Sequence, residues 1–131
     1  MSPPSPLRLR LLPGALAVCR LPPDAAPPTW AVGNVTSVTR TPDELSVVCA
    51  EAAVPADVRS ERGFRCLAVV GPLDFSLTGV IAALATPLAQ AGISVFVVST
   101  FDVDLLLIRQ TLLAEAVGIL CASGHSVTGG P

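Results

Sequence analysis

Residues 71–109, GPLDFSLTGVIAALATPLAQAGISVFVVSTFDVDLLLIR, constrain the fold more than any other stretch, because a turn, a helix, a strand and a hairpin follow one another there. Gly71-Pro72 stops a preceding apolar run, and Asp74 or Ser76 can cap the amides of a helix that begins just after them. Leu77, Val80, Ile81, Leu84 and Leu88 recur at helical spacing, which turns one apolar stripe toward a core. Pro87 falls late in that run and marks a kink or the last turn. Ala91-Gly92 ends it, since glycine accepts the left-handed conformation a closing residue needs. Residues 93–99, rich in β-branched and aromatic side chains and too short for a typical helix, predict a strand. A second apolar run at 105–108 makes 100–104 a hairpin connection.

In order along the chain, residues 1–6 form a proline-rich tail with nothing to bury. Leu7, Leu9 and Leu11 alternate with arginines, and Pro13-Gly14 then turns the chain into 15–21, which together predict a strand hairpin. Residues 22–28 read as a loop, and Trp30 and Val32 belong either to a short irregular helix or to a core plug. Residues 35–39 are strand-like, and Thr41-Pro42-Asp43-Glu44 is a turn leading into a strand at 45–49. The polar segment 51–62, with Pro55, divides an N-terminal half, 7–62, from a C-terminal half, 63–127. Phe64 and residues 66–70 predict a strand; Leu113, Ala116, Val117 and Leu120 predict a helix closed by Gly124; residues 125–127 make a short last strand, and 128–131 are expected to be disordered.

The C-terminal half therefore runs strand, helix, strand, strand, helix, strand, the order of a ferredoxin-like α+β layer with helices on one face of the sheet. Its expected core is Leu77, Val80, Ile81, Leu84, Val95, Val97, Leu106, Ile108, Val117 and Leu120. Phe96 and Val98 alternate with Val95 and Val97, so both faces of that strand are apolar and the first half or a second subunit is expected to cover the other face.

Composition narrows the function. Hydrophobic residues make up 51% and charged residues 14%, which excludes a disordered chain and favours buried strands or a subunit interface. All eight basic residues are arginine, so Schiff-base chemistry and a phosphate-loop lysine are excluded. A net charge of −2 with dispersed arginines gives no footprint for nucleic acid or for an anionic membrane, and no run is long enough to span a bilayer. Cys19, Cys49, Cys66 and Cys121 lack a CxxC pair and have only His125 as an imidazole partner, so zinc spacing is absent. Each lies among apolar residues and reads as a small buried thiol of a reducing cytosol, with a disulfide as the alternative. Arg8 and Arg10 before LLPGALAVC superficially resemble a signal peptide, but Pro13-Gly14 interrupts the apolar region and strand-like alternation continues past it, so a cytoplasmic chain is expected. The sequon Asn34-Val35-Thr36 has no consequence in such a chain. With no Ser/His/Asp or Cys/His set, and with Asp102 and Asp104 not an obvious acid–base pair, no catalytic residue, metal or cofactor is expected.

The segment GPLDFSLTGVIAALATPLAQAGISVFVVSTFDVD resembles the ACT domain, a small-molecule sensing module. Upstream, VTSVTRTPDELSVVC is similar to the tandem ACT arrangement of the cytosolic arginine sensor family of animals and its bacterial relatives, and the resemblance runs from residue 7 to about residue 124. It implies two ferredoxin-like βαββαβ ACT-type halves, the first degenerate, and an amino-acid ligand held between ACT domains by the helix-opening loop and the hairpin. Because the animal sensor has four such domains, it also implies a homodimer, acting on a regulated protein partner. Matching to the sensor's second half carries over Gly79, Thr100, Phe101 and Asp104. Leu77 stands where the arginine sensor has an acid, and Leu105 where it has a ring, so arginine itself is not carried over.

The residues give that implication a chemical form. Amides at a helix start suit a carboxylate, and side-chain carboxylates suit an ammonium group. The loop 71–79 offers amides with Asp74 and Ser76, and Thr100, Phe101, Asp102 and Asp104 lie on the facing connection. The expected binding set is thus Asp74, Ser76, Gly79, Thr100, Phe101 and Asp104. Each has a plainer reading: Asp74 as a helix cap, Asp102 and Asp104 as turn residues, Gly71 and Gly79 as backbone requirements, Ser76 and Thr78 as helix-start hydroxyls, and His125 as a surface residue. A ligand-free dimerisation or interaction module of the same fold is the alternative function.

Overall fold

Alternating leucine and arginine make β1, Arg8–Leu11, a strand with one face inside and one in water: Leu9 is fully buried while Arg8 and Arg10 are exposed. The computed structural model describes residues 6–71, 73–74 and 78–129; the expected tail at 1–5, Pro72, Ser76, Leu77 and residues 130–131 lie outside the described residues. The chain forms two compact units, Met1–Leu12 with Arg65–Pro131, and Pro13–Phe64. The strands β2, Leu16–Leu21, β3, Ser37–Arg40, and β4, Leu45–Ala50, lie in the inserted unit, and β5, Ser60–Val69, runs from one unit into the other.

The unit containing β1 completes itself with α1, Val80–Gln90, β6, Phe96–Ser99, β7, Asp104–Arg109, α2, Leu113–Ala122, and β8, Ser126–Thr128. From β5 onward this is the ferredoxin-like order expected. The neighbour order is β8-β1-β5-β7-β6, so β1 occupies a place between the first and last strands of that motif. It pairs antiparallel with β5, Leu9 opposite Val69, and parallel with β8, Leu9 opposite Val127. The predicted hairpin of β1 with β2 does not form: β1 takes β5 and β8 as partners, and β2 takes β4 and the beginning of β5. A Pro-Gly turn between two alternating runs looks local, but the strand pairs formed are those that bury both runs.

Leu9, Leu67, Leu84, Leu88, Leu106, Ile108, Ala116 and Leu120 form the core of this unit. Of the expected core, Val80, Leu84, Leu106, Ile108 and Leu120 are buried, whereas Ile81, Val95, Val97 and Val117 are half-buried because they sit at the margins of the helix and sheet faces. Phe96, opposite Leu107 on the other side of the sheet, stays 37% exposed. Both helices end alike. Gly92 (φ 77) and Gly124 (φ 98) are left-handed, and the amides of Ile93 and His125 reach back to the carbonyls of Leu88 and Leu120 at 2.9 and 3.1 Å. Thr128, expected to be disordered, closes β8, its hydroxyl directed at the Leu9 carbonyl at 3.4 Å.

The inserted unit has the strand order β3-β4-β2-β5 around Ala17, Cys19, Leu45, Val47, Cys49 and Val54, with Trp30 packed on them and Val32 exposed. Its degeneracy relative to the other unit is large: it contains no α-helix among the described residues, only a 3-10 turn at Glu51–Ala53. The Thr41 turn forms as read, with the amides of Asp43 and Glu44 both donating to its hydroxyl at 3.2 Å. The segment 51–62, read as a boundary, is folded into this unit, since Val54 is buried, Arg62 donates to the carbonyls of Glu51, Val54 and Pro55, and Gly63 N–H donates to Glu51 Oε1 at 2.6 Å. The divisions by packing fall after Leu12 and Phe64.

Leu84 is fully buried on α1 and Ile81 only half, so replacing each by alanine separates core from margin. In chemical denaturation, Leu84→Ala is expected to lose about 2–5 kcal/mol and Ile81→Ala about 1 kcal/mol.

Candidate functional site

The loop after β5 is drawn onto the β6–β7 hairpin. Leu73 N–H donates to the Asp102 carbonyl at 2.8 Å. A side chain on Gly71 would stand 2.4 Å from Val103 Cγ1 and 2.9 Å from the Leu73 nitrogen, so this approach requires glycine. The loop reaches the helix through Gly79, whose φ of 81 places it in the left-handed region at the N-cap of α1. The helix was expected to start just after Asp74 or Ser76, capped by one of them. It starts at Val80 with no side-chain cap, because the loop is held against the hairpin up to Leu73. The first amides of a helix have no partner inside it.

Facing them, the hairpin closes on the pair Ser99 and Asp104. Thr100 organises the turn, its amide and hydroxyl both donating to the Val103 carbonyl (2.8 and 2.9 Å) while the Val103 amide donates to its hydroxyl (3.1 Å). Ser99 Oγ donates to Asp104 Oδ1 at 2.7 Å and so orients that half-buried carboxylate. Phe101 is 81% exposed at the tip.

Between loop and hairpin lies a cavity of about 390 Å³. Asp74, Gly79, Thr100, Phe101 and Asp104 all line it, together with Asp102; Ser76 lies outside the described residues. Val80, Ile81 and Ala82, the first turn of α1, line it as well, as does Ser99. The sequence does not mark these four: its capping residues point to a helix start several residues earlier, and Ser99 is marked only by its place opposite Asp104. Among the described residues no arginine lines the cavity, and the charges there are carboxylates set against the positive end of a helix. A second cleft, at Pro23, Asp24, Arg40, Thr41 and Pro42 in the inserted unit, contains none of the expected residues, and Arg40 there donates to the carbonyls of Pro23 and Ala25.

Among the described residues no three His, Cys, Asp or Glu side chains gather as a metal site, and no helix is long and apolar enough to cross a membrane. His125, expected at the surface, is buried, because its ring accepts a hydrogen bond from the start of β1. All four cysteines are free, and Cys121, expected to be buried, is exposed on α2.

A family model described as an ACT domain matches residues 59–122. That segment is an ACT domain. A model of an N-terminal domain matches residues 14–57 of this ACT protein, nearly the span of the inserted unit. No curated protein matches it. A crystal structure of an Agrobacterium tumefaciens protein is 40% identical over 95% of this chain and 94% of that one, with a TM-score of 0.90. A Vibrio cholerae protein of unknown function, described as a possible transport protein, is 21% identical with a TM-score of 0.70 and 89% of each chain covered. The ligand-free regulatory subunit of aspartate kinase from Thermus thermophilus is 10% identical with a TM-score of 0.54, over 88% of this chain and 93% of that one. The last two share the fold.

Burial pushes the thiols of Cys19 and Cys66 up to about 11, and raises Cys49 as well; the neighbouring Cys49 adds to the effect at Cys19. Unfolded thiols lose their protons from 9.0 upward while the folded ones hold theirs. Their contribution to stability is therefore full below 9.0 and is lost as pH rises toward about 11. Denaturation midpoints measured across that window are expected to fall, and maleimide labelling of the native ACT protein at neutral pH is expected to modify Cys121 alone.

Proposed function

We propose that the protein is a regulatory module that binds a free amino acid in the cavity between the start of α1 and the β6–β7 hairpin. The observation that carries this reading is the meeting of an uncapped helix start, Gly79 to Ala82, with the oriented carboxylate of Asp104 across one cavity. The ligand carboxylate takes the amides of the first turn, and its ammonium group takes Asp104, with Asp74 at the rim. Thr100 keeps the turn in shape, and Phe101 covers the open side. Likeness to a regulatory subunit of aspartate kinase supports regulation of another protein over turnover. The site of action is cytoplasmic, as three buried thiols raised by burial suit a reducing compartment.

The apolar surface around Phe96, outside the core that faces the helices, supports a homodimer in which ligand binding and assembly are linked. A ligand-free interaction module is the second reading, favoured by the 81% exposure of Phe101.

A thermal-shift screen of the proteinogenic amino acids is expected to find at least one that raises the unfolding temperature. Isothermal titration with that amino acid then separates roles: Asp104→Asn is expected to weaken binding about tenfold or more, since a hydrogen bond to a charged group is lost. Sedimentation velocity with the same amino acid is expected to show a tighter dimer. No stabilisation by any amino acid would favour the ligand-free module.

A further inference from the structure

The imidazole of His125 sits where its protonation state decides a backbone hydrogen bond. Gly124 closes α2 in a left-handed turn and delivers His125 to the start of β1. There Leu7 N–H donates to His125 Nδ1 at 3.0 Å, and the Leu7 carbonyl accepts from Ser126 N–H at 3.0 Å. His125 is only 9% exposed. An imidazole nitrogen accepts only while it carries no hydrogen, so this geometry requires the neutral ring with its proton on Nε2.

We propose that His125 is an acid-sensitive latch on the start of β1. A proton taken from solvent at Nδ1 turns the acceptor into a donor that faces the Leu7 N–H, and two donors at that separation cannot both stay. The charged groups on the elements that meet here offer the cation no new partner at this point. On β1 they are Arg8 and Arg10, on the exposed face; on α2 they are Glu115, in the first turn at the far end of the helix, and the Cys121 thiol; β8 and α1 carry none. The latch therefore opens, where a nearby carboxylate would have let it re-pair.

The same end of β1 anchors the loop of the cavity. The Arg8 carbonyl accepts from Val70 N–H at 2.8 Å, one residue before Gly71, and Leu73 then bonds to the hairpin. Release at Leu7 thus loosens the strand end that fixes the root of that loop. This holds whatever the cavity binds.

Amide exchange followed by NMR on the full chain, at about pH 5 and about pH 8 with intrinsic rates divided out, reads the latch directly. The wild-type Leu7 amide is expected to lose about tenfold or more of its protection at the lower pH, while the amide of Val47 in the other unit keeps its own. In His125→Asn, Oδ1 replaces Nδ1 and accepts at either pH, so Leu7 protection is expected to be the same at both. Unchanged wild-type protection, or equal loss in the asparagine variant, overturns the proposal. If that variant does not fold, nitrogen NMR of the wild-type ring decides. A ring protonated on Nε2 at the higher pH and on both nitrogens at the lower supports the latch, and an Nδ1–H ring at the higher pH overturns it.

Discussion

The pairing of β1 between β5 and β8 is the constraint on which the ACT unit depends. Leu9 faces Val69 on one side and Val127 on the other and is fully buried in the core that α1 and α2 cover. Burying one such leucine contributes about 1.5–3 kcal/mol. Its position matters more, because without β1 the strands on either side of it lose their common neighbour. The contact also joins the two ends of the chain: Leu7 and His125 are 118 residues apart. A strand made first has to wait for partners made last, and such non-local pairing slows folding. The unit Pro13–Phe64 is accordingly an insertion between β1 and the remainder of its own sheet.

The cavity follows from how that sheet is connected. The loop after β5 and the hairpin after β6 are brought together by Gly71, where no side chain fits, and by the bond from Leu73 to Asp102. The left-handed Gly79 then starts α1 abruptly and leaves its first amides facing the space the two loops enclose. Ser99 spends its hydroxyl on Asp104, which keeps a carboxylate turned toward that space. Each of these features costs conformational freedom or leaves polar groups uncapped. Such choices belong to binding sites more than to stable cores.

Local signals in the sequence mark the body and end of α1, β7, α2 and the 100–104 turn, because their periodicity and their closing glycines depend only on near neighbours. Leu84, Leu88 and Leu120 are buried as their spacing requires, and Gly92 and Gly124 end their helices. The place of β1 was not legible: alternation at Leu7, Leu9 and Leu11 tells a strand from a helix but does not name its partners. The absence of an α-helix from the inserted unit was equally hidden, since resemblance to a repeated domain supplied a helix that the residues themselves did not demand. At the site, Asp104 and Gly79 came from resemblance, whereas Ser99 is set by its place opposite Asp104 and the start of α1 by the left-handed Gly79. His125 looked like a surface residue because nothing near it in sequence reveals the Leu7 amide.

The proposed ligand site is made by the helix start and the hairpin of the C-terminal unit. An amide correlation spectrum of the isotopically labelled chain, titrated with an amino acid that stabilises it, tests this most directly. Shifts are expected to centre on Val80, Ile81 and Ala82 and on the hairpin from Ser99 to Asp104, while the amides of residues 16–50 stay in place. Shifts confined to residues 13–64, or saturable stabilisation without movement of the α1 amides, would contradict it.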